Sequence, residues 1–419
     1  MQGLLHPYRT NAVERRQMLR AGSTGFKKIV KGEGEQMAAF IVPRTIYHGL
    51  GSIENLKSVK GTKAVIVTGA GSMRKFGFID KTVALLKEAG IASAVFDGVE
   101  ADPSVETVRK GVEVFNREKP DLIIGLGGCS AIDAAKAMWV FYEYPDSTFE
   151  QICQPFAIKP LRKKAHFVAI PSTSGTGTEV TCCSIITDRK AGTKHPIVSY
   201  EICPDIAIVD GELARSMPAS VTANTGMDAL SHDCEAFVST LADPYTDALA
   251  KDSVRLIFEN LPKAVADGSN LEVRQTMHDA SCLAGISFSN ALLGIIHSMS
   301  HQVGGMFGVP HGRSNTILMP NVIRFNGKST AKYALLAELI GKKTTEDFAQ
   351  AVASLGQSVG IEKSYQEYGI DAKEWEAKLD TMTQNALDDP CTSVNPRKPT
   401  LAEIKRIYQY SYAGTVVDF

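Results

Sequence analysis

The first half of the chain alternates short apolar runs with amphipathic stretches, and few folds accept that alternation. KAVIVTG (63–69) is a β-branched run ending in glycine, and IDKTVALLKEAG (79–90) after it has helical spacing. ASAVFDGV (92–99) reads as a strand and SVETVRKGVEVFNREK (104–119) as an amphipathic helix. DLIIGLGG (121–128) is a strand running into glycines, with AIDAAKAMWVFYE (131–143) as the helix behind it. FVAIPST (167–173) and IAIVD (206–210) supply further strands. Strands that are apolar throughout are buried on both faces, and strands separated by helices pair in parallel. The expectation is an α/β N-terminal domain around a parallel sheet.

From about Ser216 the extended runs stop, and apolar residues recur at helical spacing, as in DALAKDSVRLIFENLPKAVA (247–266). The chain thus divides into a polar, basic extension without an apolar signal core (1–36), an α/β domain (37–215) and an all-α domain (216–419). Its 419 residues suffice for two domains. Charged residues make up 22% and the net charge is -1, with no long basic run, which argues against nucleic acid or an anionic membrane as partner. No apolar run reaches membrane-spanning length. Eight cysteines without a CxxC pair suit reduced thiols in the cytoplasm.

Three loops at strand ends offer ligand chemistry. In GLGGCSAIDAAK (125–136), Gly127 and Gly128 let the backbone approach a ligand, and Ser130 with the free N–H groups of the helix start suits a pyrophosphate. The loop reads equally as a tight turn that needs glycine for its dihedrals. After the first strand comes Gly69-Ala-Gly-Ser-Met-Arg-Lys75. An acidic residue at such a strand end commonly holds the ribose 2′-hydroxyl of NAD. Gly69 leaves that place open, and Ser72, Arg74 and Lys75 suit a 2′-phosphate, which favours NADP; the competing reading is a solvated basic turn. IPSTSGTGTEVT (170–181) is dense in hydroxyls that can bond a carboxamide or a ribose.

The second half carries a metal-ligand pattern. Asp228 and His232 stand at i and i+4, the spacing of one helix face, and His297 and His301 repeat it. His311 follows a break at Gly304-Gly305 and Pro310. One carboxylate with several imidazoles suits Fe(II), Zn or Mn. Each pair alone reads as a salt bridge or a core histidine; two pairs and a loop histidine beside a dinucleotide domain favour a metal. Spacing leaves open which of His297 and His301 faces the ion. A Lewis-acid metal and a nicotinamide together suit hydride transfer between an alcohol and an aldehyde.

These motifs, with TGMDALSHDCEAF, GIIHSMSHQVGG, VPHGRSN and LDDPCTSVNPR, resemble the iron-containing (group III) alcohol dehydrogenases from about Phe40 to the C-terminus. The resemblance implies an NAD(P)- and Fe(II)-dependent alcohol dehydrogenase or aldehyde reductase, with zinc as an alternative ion. It implies metal ligands Asp228, His232, His297 and His311, and places His301 beside them as a proton-relay group. Gly127, Gly128 and Ser130 match the family's pyrophosphate loop, with Asp133 and Lys136 supporting it. Thr173, Thr176 and Thr181 fall on the nicotinamide-side segment, and Lys194 matches a ribose-contacting lysine. Gly69 and Ser72 match NADP-tolerant members. Phe288 and Cys391 fall at the substrate pocket. Cys129 replaces a glycine usual in that loop, where a side chain either crowds the pyrophosphate or lines the loop. The family implies a homodimer or larger homo-oligomer acting on a small alcohol or aldehyde. The rival readings are a dehydroquinate-synthase-like lyase that uses NAD transiently, and a non-catalytic dinucleotide-binding protein.

Overall fold

The computed structural model describes residues 39–69, 71–190 and 193–419. The extension assigned to 1–36 lies outside the described residues. The strands are β1 (Thr45–His48), β2 (Lys63–Gly69), β3 (Ala92–Val99), β4 (Leu122–Gly127), β5 (His166–Pro171), β6 (Cys183–Asp188), β7 (Thr193–Val198) and β8 (Ile206–Val209). Six of them form one parallel sheet in the order β1-β8-β5-β4-β2-β3, and β6 and β7 form an antiparallel hairpin.

The alternation in the sequence locates β2, β3, β4, β5 and β8, and misses the other three. TIYH is too short to stand out, and Lys194, His195 and Pro196 give β7 the look of a polar loop. The hairpin forms because Ile186 and Ile197 turn into the core of the sheet.

Three helices cover the sheet: α1 (Phe78–Glu88), α2 (Val105–Glu118) and α3 (Cys129–Glu143). β2 shows why both faces must be apolar. Ala64 and Ile66 pack with Ile79, Leu85 and Leu86 of α1. Val65 and Val67 pack with Val108, Val112 and Phe115 of α2 and with Ile132 and Met138 of α3. Each such aliphatic side chain contributes roughly 1.5–3 kcal/mol on burial. From β2 the chain moves outward to β3 and returns to β4 on the other side, so the strand order reverses between β2 and β4. The carboxyl ends at such a reversal form a ligand crevice.

From Ala219 onward the structure is helical. The longer helices are α4 (Ala219–Val238), α5 (Pro244–Ala266), α6 (Leu271–Ala291), α7 (Ile295–Phe307), α8 (His311–Gly327), α9 (Lys332–Leu339), α10 (Thr345–Ser358), α11 (Ala372–Asp388) and α12 (Leu401–Ala413). α4 runs through one apolar core with α5, α6 and α8, through Met227, Leu230, Leu261, Met277 and Leu318. Among the described residues, no single helix is long and apolar enough to cross a membrane.

The expected break at Gly304-Gly305 is absent, and α7 continues through both glycines. Interior glycine weakens a helix by about 1 kcal/mol relative to alanine but does not end it. The stop comes at Gly308, whose φ of 68° closes the helix in the left-handed conformation. Pro310 then caps α8, and His311 is its first residue.

Candidate active site

The residues expected to hold the metal are delivered by three helices. α4 carries Asp228 and His232 on one face, α7 carries His297, and α8 opens with His311. Gly312 makes the last approach feasible: a Cβ there would lie 1.9 Å from the Asn224 carbonyl oxygen. Only glycine lets the start of α8 press onto α4, and this contact brings His311 to Asp228.

Asp228 Oδ1 lies 4.0 Å from His232 Nε2, 4.0 Å from His297 Nε2 and 3.7 Å from His311 Nε2. Donor atoms of Asp228, His297 and His311 all fall within 4.8 Å of one another. His232 stands at the margin of this cluster, its ring stacked 4.9 Å from that of His297 and 4.3 Å from that of Phe288. His297, not His301, contributes a donor atom. Burial holds the His232 and His297 imidazoles below their ordinary pKa, so both are neutral and keep a lone pair. Burial works against the Asp228 carboxylate, and the neighbouring imidazoles overcome it.

One amide shows that the cluster is rich in acceptors. Asn315 Nδ2 donates to Asp228 Oδ1 at 2.7 Å and to Ser231 Oγ at 3.2 Å. It also lies 3.3 Å from His297 Nε2 and 3.2 Å from His311 Nε2. Two amide hydrogens thus face four acceptors, while among the described residues the buried Asn315 Oδ1 has no partner. Buried polar groups are normally matched one to one. A surplus of carboxylate and imidazole lone pairs around one point fits a divalent first-row cation.

His301 looks outward from this cluster. Its ring stacks on that of His311 at 5.5 Å, and its Nδ1 lies 3.0 Å from Asp389 Oδ2. Burial lowers the His301 pKa, and the Asp389 carboxylate outweighs it, so the net shift is upward. Asp389 Oδ1 accepts the Cys391 N–H at 3.0 Å, which fixes Cys391 beside the pair. Burial and the charges of Asp389 and Glu235 keep the Cys391 thiol un-ionised.

The second set of predicted residues gathers where the strand order reverses. Gly127 ends β4 with a φ of 139°, which only glycine adopts readily, and Thr68 Oγ1 at the end of β2 lies 3.6 Å from where its Cβ would be. Gly128 caps α3, whose first residues are Cys129 and Ser130. Cys129 Sγ turns inward to 3.5 Å from Asp133 Oδ2, so it lines the loop instead of covering it. Thr173 Cγ2 lies 3.5 Å from the Cβ position of Gly128, which joins the hydroxyl-rich segment to the glycine loop. Thr176 is half-buried on that segment.

Asp133 and Thr181, also predicted as cofactor residues, are buried and engaged inside the protein. Asp133 accepts from Thr178 Oγ1 at 2.7 Å and from the Ile185 N–H at 2.8 Å. Lys136 Nζ donates to the carbonyls of Thr178, Thr181 and Cys183 at 2.7, 2.8 and 2.9 Å. It also lies 3.2 Å from Thr181 Oγ1. From the helical side, His278 ties the same segment to α6. Its Nε2 donates to the Pro171 carbonyl at 3.3 Å, and its Nδ1 accepts from Ser174 Oγ at 2.8 Å. Burial pushes His278 down to about 4, so it stays neutral.

At the rim, Gly69 ends β2 and Ser72 begins a single helical turn. Arg74 on that turn is paired with Asp97 of β3, and Lys194 Nζ lies 2.5 Å from Asp102 Oδ1. Arg74 and Lys194 are therefore already matched by carboxylates, whereas Lys75 Nζ lies over the Phe76 ring at 5.6 Å. Sequence reasoning passed over Glu235, Asn315, His278 and Asp389. Two of them carry a signal in their spacing: Glu235 follows His232 by three residues and Asn315 follows His311 by four, both helical-neighbour intervals.

Comparison with known proteins agrees with this geometry. The family described as "Iron-containing alcohol dehydrogenase" matches residues 43–211, and "Fe-containing alcohol dehydrogenase family, C-terminal" matches 222–412. The NADPH-dependent butanol dehydrogenase of Clostridium saccharobutylicum is 49% identical over 91% of this chain and 100% of its own length. An aldehyde-alcohol dehydrogenase of Streptococcus pneumoniae is 39% identical over 89% of this chain. The chain spans 46% of that longer relative's length. The iron-containing alcohol dehydrogenase of Thermococcus thioreducens superposes with a TM-score of 0.84 at 35% identity, covering 90% of this chain and 100% of that one. None of these findings supports the lyase or the non-catalytic reading. The chain belongs to the iron-containing alcohol dehydrogenase family, whose chemistry is NAD(P)-linked hydride exchange between an alcohol and an aldehyde.

Proposed function

We propose that the protein reduces short, uncharged aldehydes with NADPH, and that Asp228, His232, His297 and His311 hold its iron. The observation that carries this reading is the acceptor surplus around Asn315. Iron(II) held there supplies Lewis acidity toward a carbonyl oxygen, and zinc competes for the same donors.

The chain's own groups do the rest. The N-terminus of α3, with Gly127, Gly128 and Ser130, binds the pyrophosphate through backbone N–H groups. Asp133, Lys136 and Thr181 brace the segment on which Thr173 and Thr176 border the nicotinamide. Gly69 and Ser72 leave room for a 2′-phosphate, and Lys194 meets a ribose. His301, held by Asp389, passes a proton between the substrate oxygen and solvent, because its ring bridges the cluster and the exterior. Phe288 and Cys391 give the substrate an apolar wall, and the un-ionised Cys391 thiol adds no charge to it.

The division near residue 215, assembly into a homo-oligomer and a cytoplasmic location belong to the same proposal. The butanol dehydrogenase relative supports the preference for NADPH and a short aliphatic substrate. The test is anaerobic oxidation of NADPH and of NADH with a panel of short aldehydes, using chelated protein and protein reloaded with Fe(II). Turnover that returns with Fe(II) and is faster with NADPH is expected. Bound metal and dinucleotide without turnover on any aldehyde would remove the assignment.

A further inference from the structure

We infer that Glu235 is a positioning residue for the metal: it holds His297 at Nδ1 and so presents Nε2 toward the cluster. The inference rests on the metal reading above.

Glu235 shares the face of α4 that carries Asp228 and His232, at seven and three residues' distance. It is 1% exposed. Its Oε2 lies 2.5 Å from His297 Nδ1, and its Oε1 accepts the Ile296 N–H at 2.5 Å. A carboxylate at Nδ1 keeps the hydrogen there, so the lone pair of a neutral imidazole is on Nε2. That is the nitrogen that faces Asp228.

A second role of Glu235 could be purely structural. Gly294 caps α7 without a side chain, the first turn of α7 holds no acidic residue, and the carboxylate satisfies one of its free N–H groups. The fit is close, since a Cβ on Gly294 would lie 2.9 Å from Glu235 Oε1. Two features exceed what a cap requires. One oxygen is committed to a histidine of the ligand cluster. Moreover, among the described residues no lysine or arginine pairs with Glu235. The contact that orients its second oxygen is therefore the one to His297 and not one to a cation.

The test titrates metal-free wild type, E235Q, E235A and D228A with Co2+ under anaerobic conditions. It follows the visible Co2+ absorption and competition with a chelator. Glutamine keeps the volume of glutamate, but its single carbonyl accepts from His297 or Ile296 and not from both. The expected result is Co2+ binding about 10–100-fold weaker in E235Q, with a changed Co2+ spectrum and unchanged dinucleotide affinity. A cap alone would shift the thermal midpoint of the metal-free protein and leave the spectrum of bound Co2+ as in wild type; that result, or wild-type affinity in E235Q, overturns the inference. If E235A does not fold, E235Q decides alone. A wild type that binds Co2+ no better than D228A would overturn the metal reading as well, which separates the two failures.

Discussion

Two buried polar networks flank the ligand crevice, and they are built on opposite plans. Around Lys136 and Asp133 the donors and acceptors match: three carbonyls meet one ammonium, and the carboxylate receives a hydroxyl and a backbone N–H. Around Asp228 they do not: one amide faces four acceptors, and its own oxygen has no partner among the described residues. The first network is complete within the chain and holds shape. The second is complete only with a cation and holds chemistry. Burial alone does not separate them, since Asp228, His297 and Asn315 are as buried as Asp133 and Lys136 and only His311 of the four acceptor-bearing residues is exposed; the balance of donors and acceptors does.

Substitutions on each side test that contrast. The largest effect belongs to D228A, which removes a ligand from the open network. We expect kcat/KM with aldehyde to fall by about 10³-fold or more, with metal content lost, as several kcal/mol of Lewis-acid stabilisation disappears. The melting temperature of the metal-free protein should barely move, because the hydrogen bond from Asn315 is lost together with the burial cost of the carboxylate. Steady-state kinetics, metal analysis and thermal denaturation check the three parts; a folded, fully active D228A would break the comparison.

K136M attacks the closed network. It strips three buried carbonyls of their donor and should cost about 3 kcal/mol in urea unfolding. Dinucleotide affinity should fall with it, while Co2+ affinity stays near wild type. Equal losses of metal and dinucleotide would mean that the two networks are one unit.

Glu179 sharpens the picture of the closed side. Burial pushes its carboxyl from the ordinary 4.5 up to about 7, against the opposing charge of Lys136 and beside the Cys282 thiol. The folded chain thus holds a proton that the unfolded chain has already released. Stability therefore falls as pH rises from about 4.5 to about 7 and is level above that. E179Q should flatten this slope and raise stability above pH 7 by about 2 kcal/mol, read from unfolding curves across the pH range.

The smallest effect is at the rim. G69D places a carboxylate where a 2′-phosphate would lie, and its Cβ sits 3.3 Å from the Val99 carbonyl, which needs only a slight shift. The NADPH-to-NADH ratio of kcat/KM should drop about tenfold, or 1.4 kcal/mol. An unchanged ratio would place the 2′-phosphate elsewhere.

The sequence was most legible where one physical demand dominates. β2, β4 and β5 are apolar throughout because helices cover both faces, and their runs stand out. Asp228 and His232 were legible because a helix face repeats at four residues. His297 and His301 share that spacing, and the choice between them depends on how α7 docks against α4, which no local pattern encodes. Glu235 and Asn315 read as ordinary polar helix residues, and their part in the site emerges only when α4, α7 and α8 meet. β7 was missed because Lys194 and Pro196 face solvent and His195, against Phe149, interrupts the apolar run. At Gly304-Gly305 composition misled, since glycine indicates flexibility but this helix ends where the backbone turns left-handed, at Gly308.

The position of the Asn315 amide bears on how the protein matures. By facing Asp228, His297 and His311 at once, it keeps their lone pairs from meeting bare. The helices can then assemble before any ion arrives, unlike small domains that fold only around their metal. The metal-free chain is therefore expected to be folded, with an ion able to enter or leave without unfolding it.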